Sequence, residues 1–86
     1  MTDHQPVPAL PAITPGLYEH YKGQHYQVYG VTRHSETLEA LVLYRPLYGE
    51  GALWVRPYEM FTGPIAIGGV SRQRFALVEA QPLIGL

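Results

Sequence analysis

His25-Tyr26-Gln27-Val28-Tyr29-Gly30-Val31-Thr32-Arg33, residues 25–33, is the stretch whose reading decides the fold class. Tyrosine, valine and threonine suit a pleated, half-buried surface. Tyr26, Val28, Gly30 and Thr32 alternate with Gln27, Tyr29, Val31 and Arg33, which is the period of a strand. Both sets contain apolar side chains, so this strand is expected to be buried on one face and covered by aromatics on the other. Nothing in the chain keeps a helical period over three turns, apart from a weak stretch at 75–80.

Working outward, the neighbouring segments repeat the pattern. Leu17–Tyr21 reads as a strand turned at Lys22-Gly23, and the polar His34–Thr37 connects residues 25–33 to a third strand at Leu38–Arg45. Leu41-Val42-Leu43 marks its most buried part. Pro46 cannot donate to a ladder and ends that strand or places it at an edge. Tyr48-Gly49-Glu50-Gly51 forms a turn, and Leu53–Arg56 returns as a fourth strand. Pro57 suits the start of a helical turn, and the few residues to Phe61 are enough for one 3₁₀ turn. Ile65–Ile67, Gly68-Gly69 and Val70–Phe75 read as a closing hairpin. The expected fold is therefore mainly β: a small, SH3-like bent β-barrel of about five to six short strands with one 3₁₀ turn near Pro57–Phe61.

With 86 residues the chain holds one domain. Residues 1–15 carry four of the eight prolines and are expected to form a flexible leader, in which Pro8 and Pro11 make a minimal PxxP spacing. Residues 16–78 form the barrel, and 79–86 form an apolar tail that packs on the barrel or on a second subunit. Hydrophobic residues are 47% of the chain and cysteine is absent, so neither disulfides nor thiolate metal sites support the core. Tyr26, Trp54 and Phe61 are expected mainly in that core, with Tyr21, Tyr48 and Tyr58 partly exposed. No apolar run is long enough to span a bilayer, and Met1-Thr2-Asp3-His4-Gln5 lacks the character of a secretory signal. The expected location is cytoplasmic, without membrane association, and a homodimer would hide the apolar tail.

Several segments together resemble a known family. They are Gly16-x-Tyr18-x-His20-Tyr21-Lys22-Gly23, Tyr26-x-Val28-x-Gly30-Val31, Arg33-His34-Ser35-Glu36-Thr37, Tyr44-Arg45, Leu47-Tyr48-Gly49 and Leu53-Trp54-Val55-Arg56-Pro57-x-x-Met60-Phe61. This set resembles the bacterial family catalogued as domain of unknown function 1653, over about Gly16 to Phe75. The resemblance implies a small cytoplasmic, mainly β domain and implies no activity. The proline-rich leader and the apolar tail look like additions to the pattern. Gly68-Gly69 stands where the family tends to have an acidic residue before glycine.

Candidate chemistry centres on arginine, whose guanidinium never neutralises and carries five donors needing partners. By strand parity Arg45 shares a face with Leu41 and Leu43, and Arg56 shares one with Trp54. Each is expected to stack on an aromatic or meet a carboxylate, Glu36, Glu39 and Glu59 being the candidates. The favoured outcome is an internal ion-pair network that fixes register. The sharper alternative has Arg33, Arg45 and Arg56 converging at one barrel end to bind a carboxylate or phosphate bidentately. His34, Ser35 and Glu36 are adjacent in sequence and read as a polar turn, since a nucleophilic triad is assembled from separate segments.

His20 and His25 flank a turn, but they make too few ligands for zinc, and no metal or cofactor is expected. Aromatic side chains at strand ends supply the best binding surface. The candidate ligand-binding residues are Arg33, His34, Glu36, Arg45, Tyr48, Trp54 and Arg56, with no catalytic residue assigned. Together they indicate a non-catalytic binding module for a small anion, peptide or protein partner. Single-stranded RNA binding is an alternative disfavoured by the formal net charge of −1, and a small enzyme using His34 ranks below it.

Overall fold

Alternation of side chains builds the observed molecule strand by strand. In the computed structural model, which describes residues 9–81, β1 (Gly16–His20), β2 (His25–Arg33), β3 (Ala40–Pro46) and β4 (Trp54–Pro57) form an antiparallel meander. A helical turn α1 (Tyr58–Thr62) follows, then a hairpin of β5 (Pro64–Ile67) and β6 (Val70–Gln73), then β7 (Phe75–Ala80). The strand order of the main sheet is β4-β3-β2-β1-β7.

The fold is mainly β as expected, but with seven strands among the described residues, arranged as an open five-stranded sheet and a separate hairpin. The expected bent barrel does not close: among the described residues β4 and β7 pair on one side only, and each remains an edge. The 3₁₀ turn is instead one α-helical turn, with Pro57 at its N-cap. Phe75–Ala80 is a strand although its residue pattern is weakly helical. Pairing with β1 from Gly16↔Ala80 to His20↔Phe75 outweighs local periodicity there. The Gly68-Gly69 turn is present, both glycines having positive φ (57° and 80°), as a two-residue hairpin of matching twist requires.

In β3 the alternation is regular. Val42, Tyr44 and Pro46 are buried, while Leu41, Leu43 and Arg45 lie half-buried on the opposite face. β2 follows the same rule only to Val28. Its register with β3 shifts between Val28 and Gly30, so Tyr29 is unpaired, and Val31 and Arg33 then oppose Val42 and Ala40. The bulge thus moves Val31 and Arg33 to the inner face, where unbroken alternation would put Thr32. Gly30 adopts φ 155°, a backbone state that suits glycine at this point.

The core on the inner face is Tyr18, Tyr26, Val28, Val42, Tyr44, Phe61 and Phe75. The single turn of α1 delivers Phe61 into it, stacked on Phe75 with ring centres 4.0 Å apart. Trp54 was expected in this core and is instead 49% exposed, because it sits on the edge strand β4 with no strand beyond it. Tyr26 and Phe61 are buried, Tyr21 and Tyr58 half-buried, and Tyr48 exposed.

Residues on both flanks of 16–78 also pack or pair with the sheet. Part of the leader is tied down: Tyr18 donates its hydroxyl proton to the Thr14 carbonyl at 2.7 Å, Tyr58 donates to that of Ala12, and Ile13 packs on the core. β7 runs to Ala80, into the segment read as tail. Pro8 of the PxxP spacing, His4 and the tail residues Pro82–Leu86 lie outside the described residues.

Candidate functional site

Three strands and a loop bring aromatic rings together along the inner face. Strand pairing places Trp54 opposite Tyr44, and the ring of Tyr44 meets those of Trp54 (6.3 Å between centres), Tyr26 (5.6 Å) and Phe61 (5.4 Å). Tyr48, from the β3–β4 connection, reaches back to Tyr26, and their hydroxyls share a hydrogen bond of 2.8 Å. Burial, followed by that bond and the neighbouring phenols, pushes the Tyr26 hydroxyl up to about 12. It stays protonated through the physiological range.

Arg56 opposes Val42 and therefore projects to this same face. Its Cζ lies 5.5 Å from the centre of the Phe75 ring, its Nε donates to the Tyr44 hydroxyl at 3.4 Å, and its Nη1 approaches the Met60 sulfur at 3.8 Å. These are weak partners for a cation. No carboxylate stands within ion-pair distance of Arg56 among the described residues. The aromatic alternative has won over the ionic one at this residue.

His20, at the end of β1, adds a second polar group beside the cluster. Its ring lies 4.9 Å from Phe75 and its Nδ1 accepts the Lys22 amide hydrogen at 3.2 Å. Burial holds its pKa below the usual imidazole value, with Arg56, Lys22 and Arg74 acting in the same direction. A lowered folded-state pKa means that the unfolded chain binds more protons below about pH 6.5. The contribution of His20 to stability is thus fully present above that pH and is lost as pH falls toward the folded-state value. Urea midpoints measured between pH 5 and 7.5 are expected to fall on the acid side, and His20→Gln is expected to flatten that slope. An unchanged slope in the variant would assign the acid sensitivity to another group.

The positions singled out from sequence fall in separate places. Arg45 lies on the outer face, donating from Nε to the Tyr29 hydroxyl at 2.9 Å and packing beside Gly51. It meets no carboxylate among the described residues. The β2–β3 turn holds the others. Arg33 Nη1 donates to the Leu38 carbonyl at 3.1 Å, and His34 Nδ1 accepts the amide hydrogens of Glu36 (3.0 Å) and Thr37 (3.1 Å). Glu36 is exposed on that turn. Arg33 also lines a cavity of about 390 Å³ with Leu10, Glu39 and Tyr58. Arg45 and Arg56 occupy opposite faces of the sheet, so a site using all three arginines is not assembled.

Tyr48, Trp54 and Arg56 each meet the Tyr26–Tyr44 ring pair, Tyr48 through Tyr26 and the other two through Tyr44, while His20 stands against Tyr26 and is influenced electrostatically by Arg74. Arg74 was missed as a site residue because it reads as one more position of a continuous strand. In the structure it separates β6 from β7, and its buried Nε has no hydrogen-bond partner among the described residues. Among the described residues, no group of three or more histidine, aspartate or glutamate side chains is placed to hold a metal ion. No helix among them is long and apolar enough to cross a membrane.

Comparisons with known proteins agree with this architecture. The family model described as a protein of unknown function, DUF1653, matches residues 16–77. The chain is also similar to a protein of that family from Bordetella bronchiseptica, known from its crystal structure. The two share 33% identity and superpose with a TM-score of 0.72, covering 81% of this chain and 92% of that one. No curated protein matches. The match from β1 into β7, carried by a structure with the same fold, shows that the chain belongs to the DUF1653 family.

Proposed function

We propose that this domain is a non-catalytic binding module of the bacterial cytoplasm. It takes a small anion, or the anionic group of a peptide or protein partner, on the inner-face surface formed by Tyr48, Trp54 and Arg56. The observation that carries this reading is the setting of Arg56. Its guanidinium is half-buried over Phe75, and its protein contacts are a long bond to a phenol and a thioether. A permanently charged group among apolar rings gains most from an anion, because the low local polarity strengthens that contact.

The half-exposed rings of Trp54 and Tyr48 supply the apolar flank on which such modules rely. The open sheet with one helical turn before its hairpin is compatible with a bent, SH3-like scaffold of that kind. The outer-face Arg45 and the turn bearing Arg33, His34 and Glu36 serve the fold in this reading. With Nδ1 accepting two amide hydrogens, His34 is better suited to closing a turn than to taking a proton from a substrate. The near-neutral net charge of −1 disfavours a long nucleic-acid track.

The test is an amide NMR titration of the labelled chain with inorganic phosphate, succinate and a short acidic peptide, each at two salt concentrations. Shifts are expected at Trp54–Arg56, Tyr48 and His20, and Arg56→Gln is expected to weaken binding about tenfold or more. Shifts confined to Arg33–Thr37 would refute the proposed surface.

A further inference from the structure

Resting on the reading of this surface as an anion site, we infer that its ligand is an aromatic anion: a planar ring that stacks on Trp54 and an oxyanion that meets Arg56, the chemistry of a nucleotide. Trp54 and Arg56 stand two residues apart on one strand and oppose Tyr44 and Val42, both buried on the inner face. Two residues along a strand is roughly 7 Å. That spacing is comparable to the separation of base and 5′-phosphate in a nucleotide.

The rings on this surface differ in how they are used. Phe61 and Phe75 satisfy each other face to face, 4.0 Å apart and within 4° of parallel, deep in the core. Trp54 and Tyr48 are half-exposed, and their ring contacts are nearly perpendicular, at 89° to Tyr44 and 79° to Tyr26. The accessible rings are thus the ones without a stacking partner, and stacking on a base is worth roughly tenfold or more in affinity. Arg56 Nη2 makes no hydrogen bond among the described residues. Lys22 and Arg74, which with Arg56 act electrostatically on His20, add positive potential beside it. The Tyr48 and Tyr26 hydroxyls, which share a hydrogen bond, offer donor and acceptor groups for the polar edge of a base.

The chain has one tryptophan, so the indole N–H signal of Trp54 can be followed individually by NMR, and the Nε–H signal of Arg56 is picked out from those of the five arginines by its loss in Arg56→Gln. Adenosine and uridine 5′-monophosphates, their parent nucleosides, inorganic phosphate and a short single-stranded oligonucleotide serve as probes. Both signals are expected to move with the monophosphates. The nucleosides and inorganic phosphate are expected to bind roughly tenfold more weakly, since each retains one of the two contacts. Trp54→Ala is expected to bring monophosphate affinity down to that of phosphate alone. A tighter and strongly salt-dependent response to the oligonucleotide would identify the source as a nucleotide within a single strand, and equal or weaker binding would identify a free one.

Equal affinity for phosphate and the monophosphates, unaffected by Trp54→Ala, would overturn the aromatic part and leave the anion site standing. No movement of the Arg56 signal with any phosphate-bearing probe would overturn both.

Discussion

Replacing Phe75 with alanine is expected to destabilise the domain by about 3–5 kcal/mol, the range for emptying a buried phenyl site. Phe75 is 4% exposed and meets Phe61, Tyr26, Tyr44 and His20, so the loss reaches β1, β2, β3 and α1 together. Little could relax into the space, because the surrounding rings are fixed by strands or by their own hydrogen bonds. A domain of this size has a total stability on the order of 5–10 kcal/mol, so the variant should be close to unfolding. Urea denaturation followed by tryptophan fluorescence measures the effect. Phe75→Leu, which keeps most of the volume, should cost distinctly less; equal losses would show that ring contacts rather than volume dominate. The same residue faces Arg56, and so the structural core and the candidate site share this ring.

The other large effect is expected at Gly16. Its φ of 151° is unfavourable for side-chain-bearing residues, and a Cβ there would run into the carbonyl oxygen of Glu79. The register between β1 and β7 also shifts immediately afterwards, between Leu17 and Tyr18. Gly16→Ala must therefore displace backbone rather than a flexible side chain. The expected cost is about 2–4 kcal/mol, combining backbone strain with overpacking. Hydrogen exchange should show the loss concentrated in the β1–β7 amides, with β2–β3 protected. By contrast, Gly23→Ala has open space around its Cβ and would feel only its φ of 103°. A midpoint unchanged in Gly16→Ala would mean that β7 shifts to accommodate the methyl at little cost.

The residues that revealed themselves in sequence were those whose local rule was also the global one. β2 has its expected limits, His25–Arg33, because period-two alternation and turn residues on both sides agree. The Gly68-Gly69 hairpin follows from turn chemistry alone. Phe75–Ala80 was not legible because pairing with a strand over fifty positions away decides its state, and no local pattern records that. Nor could parity alone place Arg33 correctly, since the bulge at Tyr29 reverses the faces beyond it. Tyr48, Trp54 and Arg56 could be named together from sequence because they lie close along the chain, at the β3–β4 connection and on β4. Their association with His20 and Arg74 required the sheet order, which brings β1 and β7 beside each other.

That sheet order also bears on how the molecule assembles. β1 to β4 are neighbours in sequence and can zip as successive hairpins, each closing a short loop. β7 must return to β1 across the whole meander, helical turn and second hairpin, from His20 to Phe75, a separation of 75 − 20 = 55 residues. The entropy of closing that loop is paid before the strand contributes anything, which makes β7 the natural late arrival in folding. Because Phe75 heads this strand, the aromatic centre is completed only on docking. A growing chain would hold a preformed meander with an unfilled inner face until β7 becomes available, so the candidate surface is completed only when that strand docks.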